Sequence, residues 1–321
     1  MAPSLYWNST NSWNNPVVSM SSKSIALALG ATALFLGSSW SVFSEELPLE
    51  GAKEGFADSD GVPIHYVELG SGDPVVMIHG FPDFWYSWRD QMAELSQSYR
   101  TIAIDQRGYN KSGQPEGLEA YGMERLTADV VAVLDALNIE KTTIIGHDWG
   151  GMVAWSVAAS YPERVQRLGI LNLPHPKGLS RELATNPTQQ ANSQYARDFQ
   201  QPNAHEALTA EGLAFWVQEP DAREHYVRAF ARSNFKGMLD YYRANYPKEP
   251  YEPITEFPQI RCPTLVIHGL DDPYLLSDGL NGTWTWIDAP LTLFTIPGVG
   301  HFVHREATAK VNDALARWLA D

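Results

Sequence analysis

The sequence predicts an α/β protein whose mostly parallel, doubly wound sheet is interrupted by a helical insertion. Short apolar, β-branched runs without alternation recur along the chain, as expected for strands buried on both faces. Segments with helical periodicity separate several of these runs, and such alternation is typical of parallel sheets. Between residues 177 and 250 the pattern is helical, with no convincing strand.

Length and composition limit the classes of function. The 321 residues fit one large domain with an insertion, and 44% hydrophobic residues are enough for a substantial core. The net charge of −15 provides no basic surface for a phosphate backbone, so we expect no nucleic-acid partner. One cysteine, Cys262, excludes an intramolecular disulfide and a cysteine-based metal cluster. The nine histidines show no ligand spacing such as HExxH, so the sequence implies no metal.

The N-terminal extension, residues 1–48, resembles a targeting segment. Lys23 precedes an apolar stretch at 25–36, and small residues stand before Glu45-Glu46. This order is typical of a secretory signal with cleavage after Ser44, which predicts an exported or periplasmic protein. Alternatively, residues 25–43 anchor the protein in a membrane, or the extension belongs to a cytoplasmic enzyme. Membrane association is expected only through residues 25–43.

The first part of the core, residues 49–176, begins with strand patterns. Residues 54–58 and 62–69 read as a hairpin joined by Asp60-Gly61. Apolar strands follow at 74–78 and 100–104, and a helix is predicted at 126–137. Polar and glycine-containing motifs come directly after both strands: His79-Gly80-Phe81-Pro82 and Asp105-Gln106-Arg107-Gly108-Tyr109.

A strand, a sharp turn and a helix meet at Asp148. The run at 142–145 leads into Gly146-His147-Asp148-Trp149-Gly150-Gly151, and helical periodicity continues at 152–160. This is the arrangement of the nucleophile elbow in α/β-hydrolases. A carboxylate at the elbow can attack a saturated carbon and form an alkyl ester, which favours epoxides or alkyl halides over esters. A simpler interpretation is an ordinary turn in which Asp148 is the N-cap of the helix.

The rest of the chain supplies a candidate acid and a candidate base. A strand is predicted at 165–173, a helical lid at 177–250, and a second core segment at 251–321 with strands at 263–268 and 291–296 and a helix at 305–319. Asp272 follows the first of these strands and His301 the second, in the order nucleophile, acid, histidine. Asp271 and His304 are the neighbouring alternatives. The backbone N–H groups of Phe81 and Trp149 are the predicted oxyanion donors.

Taken together, these motifs resemble the epoxide hydrolases of the α/β-hydrolase fold. The resemblance covers the chain from about residue 55 and rests on the motifs around Phe81, Arg107, Asp148, Asp272 and His301. It implies a two-step hydrolysis that uses water and no cofactor, with two lid tyrosines that donate hydrogen bonds to the epoxide oxygen.

The lid segments at 193–200 and 237–243 look like those that carry the tyrosines in this family, which assigns Tyr195 and Tyr242. Tyr241 is the alternative to Tyr242, because adjacent helical residues point about 100° apart. The aromatic residues at 84–88, with Phe215 and Trp216, suggest a small apolar epoxide as substrate, although they could also belong to the core of the lid.

Two other functions remain open on sequence grounds. A haloalkane or haloacetate dehalogenase would use the same Asp-His-Asp machinery, although Phe81 and the absence of an arginine after Asp148 disfavour it. A non-catalytic binder on a hydrolase scaffold is the second alternative, because a fold alone does not establish activity.

Overall fold

The computed structural model describes residues 47–321, in which an eight-stranded sheet has the order β1-β2-β4-β3-β5-β6-β7-β8. β2 pairs antiparallel with β1 and β4, and all other neighbours are parallel. The predicted mostly parallel sheet is therefore confirmed. The strands are β1 Lys53–Ser59, β2 Val62–Gly70, β3 Asp73–Ile78, β4 Tyr99–Ile104, β5 Thr142–His147, β6 Val165–Leu171, β7 Thr264–Gly269 and β8 Leu291–Ile296.

The strands were predicted from apolar runs, and the burial of the strands in the structure explains these runs. Every residue of β5 and β7 is buried, which matches apolar runs without alternation. The strands β1 and β8 lie at the two edges of the sheet and keep exposed residues. The strand predicted at 165–173 is shorter than expected and ends at Leu171, because Asn172 takes a positive φ of 43° and leaves the extended conformation.

Helices cover the sheet and fill the segment between β6 and β7. The first group is α1 Arg89–Leu95, α2 Met123–Ala136 and α3 Trp149–Ser160. Between β6 and β7 the chain forms α4 Pro176–Thr185, α5 Pro187–Asn192, α6 Gln194–Phe199, α7 Ala210–Leu213, α8 Pro220–Arg232 and α9 Phe235–Asn245. Helix α1 was not predicted. The proposed domain boundaries at 176/177 and 250/251 stay predictions.

The helix predicted at 305–319 is confirmed from residue 308 onward, but its first residues belong to a separate short helix. α10 spans Val303–Glu306 and α11 spans Thr308–Ala320, and Ala307 between them has a non-helical φ of −132°. Glu306 turns back and accepts hydrogen bonds from the backbone N–H groups of Gly300 and Phe302 at 2.7 and 3.0 Å. The short helix is thus tied to the loop that carries His301.

No helix within residues 47–321 combines the length and the apolar character needed to cross a membrane. The predicted signal or anchor at 25–43 and the cleavage position after Ser44 lie outside the described residues.

The sheet topology collects the candidate site at one edge. β5 lies in the sheet between β3 and β6, and β7 and β8 follow in the same parallel direction. The carboxyl ends of parallel strands meet at one edge, which is where open α/β sheets bind ligands. The loops after β3, β5, β7 and β8 carry Phe81, Asp148, Asp272 and His301.

Candidate active site

Asp148 occupies a strained turn between β5 and α3. Its φ of 51° and ψ of −121° are unusual for a residue with a side chain. Close packing surrounds the turn: a Cβ on Gly150 would lie 2.1 Å from the carbonyl oxygen of Ile78, and one on Gly80 would lie 2.3 Å from Cβ of Asp148. The glycines therefore let the loop after β3 and the start of α3 approach the Asp148 side chain.

The Asp148 carboxylate bonds to the predicted oxyanion loop and does not cap its own helix. Oδ1 accepts a hydrogen bond from the backbone N–H of Phe81 at 2.7 Å, and the side chain makes no capping bond to α3. Trp149 is the first residue of α3, where backbone N–H groups have no partner within the helix. These observations argue against the simpler N-cap interpretation.

His301 lies between two carboxylates. Its Nδ1 is 2.8 Å from Oδ2 of Asp272, and its Nε2 is 3.5 Å from Oδ2 of Asp148. The ring of His147 packs against His301 at a centroid distance of 4.9 Å. Nε2–H of His147 donates to the backbone carbonyl of His301 at 2.9 Å, which helps to hold the loop in place.

The two carboxylates decide the charge of His301. Burial opposes a positive charge on the ring, but the charges of Asp272 and Asp148 and their hydrogen bonds outweigh it and raise the pKa of His301 to about 10. Burial also acts against the charge of Asp148, yet hydrogen bonding and attraction to His301 lower the pKa of that carboxyl. The resting site at neutral pH is therefore an ionised Asp148 beside an imidazolium.

Asp272 is held on both of its oxygens. Oδ1 accepts backbone N–H groups of Tyr274 and Leu275 at 2.8 and 3.1 Å, and Oδ2 accepts Nδ2–H of Asn172 at 2.7 Å. Despite burial, the charge of His301 and the side-chain hydrogen bonds from His301 and Asn172 hold the pKa of Asp272 well below the usual range. The alternative acid Asp271 is exposed, so the geometry favours Asp272.

His304, the alternative base, is fully buried, and its ring packs on Trp88 and His147. Neither of its ring nitrogens has a hydrogen-bond partner among residues 47–321. The geometry therefore favours His301 over His304 as the partner of Asp272.

A small cavity of about 30 Å³ adjoins Asp148, and both predicted tyrosines line it. The ring centroids of Tyr195 and Tyr242 are 6.0 Å apart. The alternative Tyr241 points elsewhere, since its hydroxyl donates to the backbone carbonyl of Arg107 at 2.9 Å. The other lining residues are Trp149, Met152, Leu173, Leu179, Tyr246 and Leu275.

Both cavity tyrosines are suited to donate a proton or a hydrogen bond. Burial, the other buried phenols and the charge of Asp148 raise the pKa of Tyr195 and Tyr242 well above the ordinary value. Both are therefore neutral phenols at physiological pH, with Asp148 close enough to act on their ionisation. The Tyr242 hydroxyl also interacts with the Trp149 side chain.

The structure thus brings all seven predicted residues to one site, and their chemical roles stay predictions. Several residues of the site were not predicted from the sequence: Asn172, His147, Tyr246 and the leucines of the cavity. Tyr246 had a signal that was not used: it stands four residues after Tyr242, about one helical turn further along, and directly follows α9.

The aromatic residues expected to favour an apolar substrate lie elsewhere. Phe84 packs in the core against Tyr226, with ring centroids 5.0 Å apart. Phe215 is 66% exposed, and Trp216 stacks on Phe302 at 4.5 Å. None of them lines the cavity beside Asp148, so that part of the prediction is corrected. The apolar lining comes instead from Met152 and the leucines.

Among residues 47–321, one group of side chains has donor atoms close enough to share a metal ion: Asp83, His147 and His304, with those atoms within 4.8 Å of one another. Burial raises the pKa of Asp83 to about 6, and the charge of Arg305 lowers it in part. The same guanidinium also interacts with His304. A nearby positive charge disfavours a cation, so the donor set does not fit a metal well.

A family model described as the α/β-hydrolase fold matches residues 73–308. The fold and the site therefore define a hydrolase of this class. Epoxide hydrolase 1 of Caenorhabditis elegans is 32% identical, in an alignment that covers 84% of this chain and 71% of the relative. Epoxide hydrolase A of Mycobacterium tuberculosis is 31% identical, in an alignment that covers 83% of this chain and 97% of the relative.

Solved structures show the same relationship. The crystal structure of the Bacillus megaterium epoxide hydrolase in complex with an inhibitor has a TM-score of 0.77 and 31% identity, over 83% of this chain and 100% of that one. The chain belongs to the epoxide hydrolase family of the α/β-hydrolase fold. The predicted fold class and enzyme class, a hydrolase related to epoxide hydrolases, are confirmed.

Proposed function

We propose that this protein hydrolyses a small apolar epoxide to a vicinal diol through a covalent ester on Asp148. The observation that carries the proposal is the placement of one ionised carboxylate between His301, at 3.5 Å, and a cavity lined by Tyr195 and Tyr242. The names of the relatives support the substrate class. The apolar side chains of Met152 and the leucines favour a hydrocarbon substituent on the epoxide.

In the first step a carboxylate oxygen of Asp148 attacks an epoxide carbon, and the bond between that carbon and the ring oxygen breaks. The ring oxygen becomes an alkoxide, which Tyr195 and Tyr242 stabilise by hydrogen bonding. A neutral phenol suits this role because it interacts more strongly with the developing alkoxide than with the uncharged epoxide. The product of this step is an alkyl ester of Asp148.

The resting charge of His301 completes the proton balance. Neutralisation of the alkoxide consumes one proton, and the imidazolium of His301 holds one in the resting site. Ester formation also removes the negative charge of Asp148, which is one of the two charges that keep His301 protonated. His301 therefore becomes a neutral imidazole when the ester forms, which is the state that a general base requires.

In the second step neutral His301 takes a proton from water, and the hydroxide attacks the ester carbonyl of Asp148. The N–H groups of Phe81 and Trp149 stabilise the tetrahedral oxyanion. Collapse breaks the bond between the carbonyl carbon and the alkyl oxygen, and the acid proton passes to the departing alkoxide. The site returns to an ionised Asp148 and a protonated His301, with no net gain or loss of protons.

A single-turnover experiment in H₂¹⁸O tests the covalent step. Enzyme in excess is mixed with styrene oxide, and the Asp148 peptide and the diol are analysed by mass spectrometry. The proposal expects ¹⁸O in the Asp148 carboxylate and none in the diol after the first turnover. Label in the diol alone would show direct attack by water and would refute the ester.

The alternative reaction for Asp148, His301 and Asp272 is the dehalogenation of an alkyl halide. A halide leaving group needs N–H donors, yet the Trp149 side chain interacts with the Tyr242 hydroxyl. The chain is therefore expected to open epoxides and to release little halide. A panel of matched epoxides and haloalkanes decides this, with diol and halide release measured side by side.

We also propose that residues 1–48 direct export, with cleavage after Ser44. The support is the sequence order of a positive charge, an apolar stretch and small residues. Expression of the whole chain in a secreting host, followed by N-terminal sequencing, tests this. A mature protein that starts at Glu45 is expected, and an intact N-terminus in the cell extract would contradict it.

A further inference from the structure

Asn172 connects the ends of three strands at the site. It follows β6, is fully buried and has a positive φ of 43°. Its Nδ2 donates to Oδ2 of Asp272 at 2.7 Å and to the backbone carbonyl of Gly300 at 3.2 Å. Its Oδ1 accepts the backbone N–H of Gly269 at 3.3 Å. One amide therefore contacts both loops that carry the proposed acid and base.

We propose that Asn172 is a positioning residue for the hydrolysis step, which holds the Asp272 carboxylate on Nδ1 of His301. This inference rests on the proposed function. Its basis is that Oδ2 of Asp272 receives two donors, Asn172 and His301, while Oδ1 is fixed by the backbone N–H groups of Tyr274 and Leu275. The amide thus prevents rotation of the carboxylate away from the imidazole.

The chemistry of this position requires asparagine in particular. Asparagine adopts a positive φ more readily than most residues with side chains. Its amide supplies a donor to Asp272 and an acceptor to Gly269 in one planar group, and it carries no charge at any pH. An aspartate here would place a second carboxylate where the donor now lies, 2.7 Å from Asp272, and would raise the pKa of that acid.

The inferred role predicts an effect on one step only. In the resting enzyme Asp148 attacks without help from a base, so Asn172→Ala should leave ester formation nearly unchanged. Hydrolysis needs a correctly oriented His301, and loss of a hydrogen bond to a charged group should slow it by roughly 10- to 100-fold. The alkyl-enzyme should therefore accumulate during turnover of styrene oxide, with kcat and KM falling together.

Asn138→Ala is a matched control. Asn138 also has a positive φ, of 54°, but it lies exposed after α2 and outside the cavity. Alanine at either position introduces similar backbone strain, so an effect of that strain alone would appear in both variants. If Asn172→Ala does not fold, Asn172→Asp keeps the shape of the side chain and still removes the donor.

Rapid-quench mass spectrometry measures the two steps, and ¹⁵N NMR of labelled histidines measures the pKa of His301 without substrate. Accumulated ester and a lower pKa of His301 in Asn172→Ala, with neither change in Asn138→Ala, would support the inference. Equal slowing of both steps, or an unchanged pKa of His301, would overturn it. If the wild-type enzyme forms no ester with the epoxide, the proposed function fails, and the NMR titration alone decides the role of Asn172.

Discussion

Replacement of Asp148 by asparagine should return the pKa of His301 from about 10 to near its ordinary value of 6.5. The substitution removes one of the two carboxylates beside the imidazole and keeps the size of the side chain. Asparagine tolerates a positive φ such as the 51° at this position, so the turn should remain intact. The variant also resembles the proposed ester, because both are uncharged at this residue.

The size of the effect follows from one distance. Nε2 of His301 and Oδ2 of Asp148 are 3.5 Å apart. At an effective dielectric constant of about 20, two unit charges at this distance attract by about 5 kcal/mol. Since one pKa unit corresponds to about 1.4 kcal/mol, removal of the charge should lower the pKa of His301 by roughly three to four units. The remaining Asp272 still orients the ring.

The assay is a pH titration of ¹⁵N-labelled histidine by NMR, with His301 assigned through its substitution. Asp271→Asn is a matched control, because Asp271 stands beside the proposed acid in the sequence but is exposed. The control should leave the titration of His301 unchanged. A pKa of His301 that stays near 10 in Asp148→Asn would refute the account in which ester formation releases the base.

Three further results are expected. His301→Gln should trap the alkyl-enzyme, seen by intact mass spectrometry as an increase equal to the substrate mass; an unmodified protein would count against a base role. Tyr195→Phe and Tyr242→Phe should each slow ester formation by roughly 10- to 100-fold through loss of a hydrogen bond to the alkoxide, measured by rapid quench; unchanged rates would remove them from the mechanism. Burial lowers the pKa of His147 to about 4 and of His175 to about 3, so both are neutral when folded and bind protons on unfolding below the ordinary 6.5. The free energy of unfolding should therefore fall between pH 6.5 and 4 by up to about 1.4 kcal/mol per pH unit for each, and a flat urea-unfolding profile over this range would contradict it.

The sequence predicted the strands and the order of the site residues because both depend on local patterns. Runs such as β5 and β7 are buried on both faces and so show no alternation of polar and apolar residues. The ends of the predicted β7 and β8 placed Asp272 and His301 in the loops that follow. The structure separates them from the neighbouring alternatives, because Asp271 is exposed and the His304 ring packs on Trp88.

The missed features depend on contacts between distant segments. Asn172 stands between two leucines, so the sequence predicts it as part of a strand. The hydrogen bonds from its amide to Asp272 and to the carbonyl of Gly300 join segments that are far apart in the sequence. The break at Ala307 likewise accompanies the bonds from Glu306 to the loop around His301. The aromatic residues at 84–88 were expected to favour an apolar substrate, but they are buried in the core. Local composition does not distinguish these two roles.

The unfavourable backbone of Asp148 has a consequence for evolution and engineering. A residue with a side chain at a φ of 51° costs free energy that the surrounding sheet and helix must offset. Asp148→Gly should relieve this strain, but it also removes the hydrogen bond from Phe81 and the ion pair with His301, and it should abolish catalysis. A screen that monitors only folding would not detect this loss of activity, so variants selected for stability also need a turnover assay.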